Sequence, residues 1–422
     1  MVLKNGVVFK GEEFVECPVA VKDGVIAGFD AAACEDAGGE EIDANGCLVL
    51  PGLVNCHGHT AMTLVRGLGA GLPLQRWLEE AIFPVEAKMT PEDIAAGMTW
   101  GAMEMLAGGT TTVADMYDFP DAGAAALSNA GMRGNLCRVG LAFSEDQELP
   151  PNRLKECVDF VVAHSDGNIL GDFCLHSEYL TNEKFCRELV KANSVFRRPV
   201  HVHVSETEKE HRDSIQRHGK TPMRYLCDLG VFDHGGYAAH CVYATDDDLR
   251  LMREKGVTLV HNPTSNMKLG SGFAPVAKAL AAGVNVALGT DGCASNDNLD
   301  MFEEMHLASL VAKGIARDPA ALPALDVIKM ATANGAKALG RGNIGKIETG
   351  MLADFAIVDL GRPHLRPVLD FAGLVVNSMH ASDVIMTIVG GEILYNRGVF
   401  PSIDPWKAKE DFDSSVRRLH SR

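Results

Sequence analysis

Pro199–Ser205 reads PVHVHVS, a short run in which valine and histidine alternate before a polar terminus. At a period of two, His201 and His203 share one face of an extended strand and the valines share the other. The acidic Glu206 follows three residues after His203. Runs of the same character recur on both sides: LVNCH (53–57), TTTVADM (110–116), LCRVGLAF (136–143), GDFCLHS (171–177), YAAHCV (237–242), VTLVHN (257–262) and VNVALGTD (284–291). The stretches between them carry helical apolar spacing, as in MTWGAMEMLAGG (98–109) and DDDLRLMREKG (246–256), and end at glycine. Eight strands alternating with helices predict an α/β fold built as a (β/α)8 TIM-like barrel.

The chain ends have another rhythm. GVVF (6–9), FVECPVAV (14–21), KDGVIAGF (22–29) and GCLVLPG (46–52) are short β-type runs, with a hairpin turn at Lys22-Asp23-Gly24. DFAIVDL (354–360) and DVIMTIVGGEILYNRGVF (383–400) return to that style. Residues 1–50 and 346–400 are therefore expected to form one composite β-sandwich domain, with the barrel over 51–345 and an amphipathic C-terminal helix within 401–422.

Composition limits the partners. The net charge is -17 over 422 residues, so a nucleic acid or an anionic membrane would be repelled, and a small molecule is the expected partner. The N-terminal run is broken by Lys and Glu, unlike a secretory signal, and no stretch has the length of a membrane span. Eleven cysteines without paired spacing fit reduced thiols and a cytoplasmic setting. Homo-oligomerisation is expected on frequency alone.

Polar residues collect at the strand ends, which share one mouth of a barrel. His57 and His59 in NCHGHT have the spacing that turns two imidazoles to one side. His203 shares its strand end with Glu206, whereas His201 reads as a hydrogen-bonded core residue. Asp291 ends the last strand; a lone Thr-Asp-Gly would be a cap or turn, but its position adds a carboxylate to three imidazoles. His57, His59, His203 and Asp291 together suit one divalent metal, Zn2+ or Fe2+, with a position left for water. Glu206 could shuttle protons and His240, in AAHCV, could stabilise an oxyanion. His261 is read as structural. GDFCLHS has no lysine in or beside it to bridge two metals, so a mononuclear centre is expected.

PGLVNCHGHT, HVHVSETEKE, AAHC, HNPTSNMKLGSG and LGTDGCASN occur in this order, and the pattern resembles the amidohydrolase superfamily over nearly the whole chain. Through WLEEAIFPVEAK (77–88) and HNPTSNMKLGSGFAPV (261–276) it is most similar to the 5'-methylthioadenosine/S-adenosylhomocysteine deaminases. The resemblance implies hydrolytic deamination of an adenine ring to the inosine analogue by metal-activated water. It makes His57, His59, His203 and Asp291 the ligands, Glu206 the proton shuttle and His240 its partner. Glu86 then matches a ribose-hydroxyl contact, His176 a substrate contact, and Arg138 and Arg153 contacts to an amino-acid tail. Tyr243 and LHSEYL depart from the family pattern, which leaves the substrate open: guanine, a pterin, cytosine or a chlorinated triazine are the alternatives. A catalytically silent ligand-binding barrel is the remaining one. The HxE with PCxxC set of the cytidine-type zinc deaminases is absent.

Overall fold

A computed structural model describes residues 1–141 and 152–421. The end of the expected strand 136–143 and most of the loop before Arg153 lie outside the described residues.

Two parallel sheets form the centre. One joins Leu53–Gly58, Thr110–Tyr117, Arg133–Arg138 and Ile169–Gly171; the other runs Phe173–Ser177, Val200–Val204, Gly236–His240, Val257–His261 and Val286–Leu288. Helices intervene, including Pro91–Ala107, Glu183–Phe196, Asp246–Lys255 and Met301–Ala316. The fold is thus α/β and TIM-barrel-like. Individual hydrogen bonds link the sheets on both sides. The Asn55 amide donates to Thr290 Oγ1 at 2.7 Å and Asp291 N–H to His57 O at 2.9 Å. Across the other side, Asp172 N–H donates to Leu136 O at 2.9 Å and His176 N–H to Gly140 O at 3.0 Å.

GDFCLHS is not one strand. The chain changes sheets at Gly171-Asp172, because the buried Asp172 carboxylate accepts from Asn135, Tyr237 and Arg198 inside the core. Gly171 fits there because a Cβ would fall 2.7 Å from Val161 Cα.

The chain ends supply a six-stranded and a four-stranded sheet. In the six-stranded sheet, Cys47–Pro51 and Val7–Lys10 from the N-terminal part are continuous with Phe355–Asp359, Val384–Val389 and Glu392–Asn396. One apolar cluster, including Leu3, Val19, Ile26, Val49, Phe355 and Ile388, draws on both sheets. FVECPVAV divides into Glu13–Glu16 and Val19–Lys22, since Pro18 has no N–H for a ladder. The expected hairpin turn forms, with Asp23 at φ 52 and Gly24 at φ 77, the pair of positive values that a two-residue type I' turn requires. A short helix, Ala31–Ala37, was not foreseen.

Pro405–His420 is a helix docked on Pro91–Ala107 by stacking of Phe412 on Trp100 at 4.9 Å. No helix among the described residues is long and apolar enough to cross a membrane.

Candidate metal centre and active site

The carboxyl ends of the parallel strands bring four predicted ligands together. His59 Nε2 and His203 Nε2 are 3.2 Å apart, and Asp291 Oδ1 lies 3.4 Å from His57 Nε2 and 3.3 Å from His59 Nε2. All four residues are buried.

The outward nitrogens decide what the inward ones can do. His59 Nδ1–H donates to Met116 O at 2.7 Å and His203 Nδ1–H to His176 O at 2.6 Å. A carbonyl can only accept, so each Nε2 carries a lone pair. Two such nitrogens in contact repel unless an electrophile lies between them. His57 Nε2 has no hydrogen-bond partner, and its Nδ1 meets His201 Nε2 at 2.7 Å. Separations of 3.2–3.4 Å suit the edges of a coordination shell with bonds of about 2.0–2.1 Å. The donor set therefore fits a divalent cation. Burial lowers the basicity of His57 to about 4 and pushes His203 well down, so both are neutral, as ligands must be.

Asp291 sits at φ 64, a strained conformation at the strand end. Its carboxylate accepts from Ser265 Oγ at 2.6 Å and from Gly292 N–H at 2.8 Å. Burial would raise its pKa, and positive charge placed among His57, His59 and His240 outweighs that, holding it well below the usual carboxylate range.

His240 and Glu206 flank this cluster. His240 Nδ1–H donates to Asn266 Oδ1 at 2.8 Å, leaving Nε2 3.9 Å from Glu206 Oε2 and 4.0 Å from Asp291 Oδ2. Glu206 is positioned through its backbone: Glu210 accepts from the Ser205 and Glu206 N–H groups, each at 2.7 Å. Burial pushes the Glu206 carboxyl above its ordinary range despite the pull of His240.

The cluster floors a cavity walled by Trp77, Phe83, Phe119, Leu141, Tyr179 and Leu269. Glu86 and His176 line it as well. The Tyr117 hydroxyl donates to Glu86 Oε1 at 2.5 Å, and burial raises the Glu86 pKa against that bond. Arg138 and Arg153 do not line the cavity. Both guanidinium groups donate to Asp118 Oδ1, and Asp118 is the residue on the cavity wall. His261 is buried and, with Tyr243, lines a second cavity.

Some contributors escaped the sequence reading. Ser265 and Asn266 stand within the quoted HNPTSNMKLGSG, where a polar pair after a strand-ending histidine was the available signal. His201 is a hydrogen-bonded core residue as expected, but its bond is to a ligand candidate.

The chain belongs to the amidohydrolase family, whose profile matches residues 48–394. Among relatives, it is 44% identical to a 5-methylthioadenosine/S-adenosylhomocysteine deaminase of Acetivibrio thermocellus, over 95% of this chain and 94% of that protein. It is also 44% identical to a 5'-deoxyadenosine deaminase of Methanosarcina mazei, over 96% and 94%. Among solved structures, a zinc-bound adenosine deaminase from Xanthomonas campestris superimposes with a TM-score of 0.95 at 33% identity, covering 100% of this chain and 98% of that one.

Proposed function

We propose that this protein is a metal-dependent aminohydrolase that converts the adenine ring of 5'-methylthioadenosine, S-adenosylhomocysteine or a related adenosine derivative to the inosine analogue and ammonia. The observation that carries the reading is the convergence of imidazole lone pairs and an ionised carboxylate beside a protonatable glutamate. Relatives named for deamination of these nucleosides give the substrate class. The architecture that suits it is a closed (β/α)8 barrel over 51–345, a sandwich from 1–50 and 346–400, and a terminal helical segment within 401–422.

His57, His59, His203 and Asp291 would hold one divalent ion, Zn2+ by donor preference. When bound, it supplies Lewis acidity that brings the pKa of water toward about 7. Asp291, ionised by its neighbours, accepts the proton released from the attacking water. Glu206, whose carboxyl burial pushes above its ordinary range, delivers a proton to ring N1 as oxygen adds at C6. His240, held at Nδ1 by Asn266 and Asn262, orients the adding oxygen. Asp291 passes the proton it took to the exocyclic nitrogen and the C6 hydroxyl returns one to Glu206 as the C6–N bond breaks, so ammonia leaves, C6 becomes a carbonyl and both carboxyl groups regain their starting states. Glu86 accepts from a ribose hydroxyl, while the apolar cavity wall keeps bulk water from the ring.

Ammonia release from 5'-methylthioadenosine, S-adenosylhomocysteine, 5'-deoxyadenosine, adenosine and guanine tests the assignment. Turnover of the adenosine derivatives is expected; turnover of guanine alone would overturn it.

A further inference from the structure

Glu304 is a fully buried carboxyl in the first turn of the helix Met301–Ala316, and both of its oxygens are engaged. Oε1 accepts from Asn296 Nδ2 at 2.7 Å and Oε2 from Thr264 N–H at 3.3 Å. Each bond leads on to Asp291. Asn296 Nδ2 also donates to Thr290 O at 2.7 Å, so its two amide hydrogens join Glu304 to the peptide between Thr290 and Asp291. The N–H of that same peptide donates to His57 O at 2.9 Å, so both of its ends are fastened. Thr264 directly precedes Ser265, whose hydroxyl donates to Asp291 Oδ2 at 2.6 Å. One side chain therefore braces the backbone of Asp291 by one route and the donor to its carboxylate by another.

Asp291 needs that bracing. Its φ of 64 is a conformation that persists only where the surroundings over-determine it. Glu304 itself is a costly residue to bury: both partners are neutral groups, and burial pushes its carboxyl up to about 8. The unfolded chain would ionise it at neutral pH, so an apolar side chain would serve packing better.

We propose that Glu304 is a positioning residue for Asp291, fixing through Asn296 and Thr264 the peptide plane and carboxylate orientation that the cation site requires. The inference rests on the metal-dependent reading above and gives Glu304 no contact with metal or substrate.

The test measures Zn2+ affinity by chelator competition in the native protein, Glu304→Ala, Glu304→Gln, Asn296→Ala and the double variant of Glu304→Ala with Asn296→Ala. The visible spectrum of the Co2+-loaded chains reports the geometry around the ion. Glu304→Ala should weaken binding about tenfold and change the Co2+ band, as loss of an outer support does. Glu304→Gln keeps an acceptor oxygen for Asn296 and should recover most of the affinity. The double variant should lose little more than the weaker-binding single one, because both residues act along one chain of bonds. Native affinity with an unaltered band in Glu304→Ala, a Gln variant no better than the Ala one, or losses that simply add, overturns the proposal. Should Glu304→Ala not fold, Asn296→Ala beside Glu304→Gln decides: loss in the first with retention in the second is expected, and equal affinities overturn the proposal. A native chain that takes up no divalent ion overturns the metal-site reading and this proposal with it; native uptake with unaltered variants overturns only the role of Glu304.

Discussion

Glu206 and His201 act at the residue scale in different ways. Glu206 faces the cavity and touches no metal ligand by hydrogen bond, so Glu206→Gln should keep its metal and lose about 10²–10⁴ in turnover. Wild-type turnover with the metal retained would remove Glu206 from the proton path. His201 works through another side chain. For His57 to present a lone pair at Nε2, its Nδ1 must carry the proton and donate to His201 Nε2, 2.7 Å away. The His201 ring packs at a tilt against Tyr237, with centroids 4.3 Å apart, which restrains its plane. Replacing His201 by Phe should weaken metal binding about 10–100-fold in a chelator competition, with partial recovery in His201→Gln. Unaltered affinity in both variants would make His201 packing only.

At the scale of elements, one buried pair ties a central parallel strand to the terminal sheet. Arg133, which opens a parallel strand, donates from Nε and Nη2 to the two Asp354 oxygens at 2.7 and 2.9 Å. Asp354 directly precedes Phe355–Asp359 and also accepts from Gly390 N–H at 2.7 Å. Asp354→Ala strands a buried guanidinium, and chemical denaturation should show a loss of about 3–5 kcal/mol; a change below about 0.5 kcal/mol, typical of surface positions, would contradict this. The same scale shows what was legible beforehand. His57, His59, His203 and Asp291 stood out because each ends a run of strand character, and strand ends share one mouth. The break at Gly171-Asp172 was hidden, since it depends on partners at 135, 198 and 237 that only folding brings near. The arginines show the same limit: residue type marks a guanidinium, but Asp118, 20 and 35 residues away, determines where it points.

Over the whole molecule, buried neutral imidazoles subtract from stability on the acid side, while the buried Glu210 and Glu304 carboxyls, each raised to about 8, act in the opposite sense. Burial lowers His57 to about 4 and His261 to about 3, with His201 and His203 also well down. A depressed histidine pKa adds stability above the unfolded value near 6.5 and loses it as pH falls toward the folded value, because the unfolded chain binds the proton first. At pH 5, His57 and His261 each account for a loss of roughly 2 kcal/mol. Thermal melts of the metal-free protein from pH 7 to 5 should therefore fall less in His261→Gln than in the native chain, and the same pH dependence in both would contradict the buried neutral state of His261.

Elemental analysis of the purified, desalted protein beside Asp291→Ala and His203→Ala addresses the cation directly. One equivalent of divalent metal per native chain, lost or much weakened in both variants, is the expected result. A native chain that neither retains nor takes up a divalent ion would contradict the site, and the hydrolysis built on it.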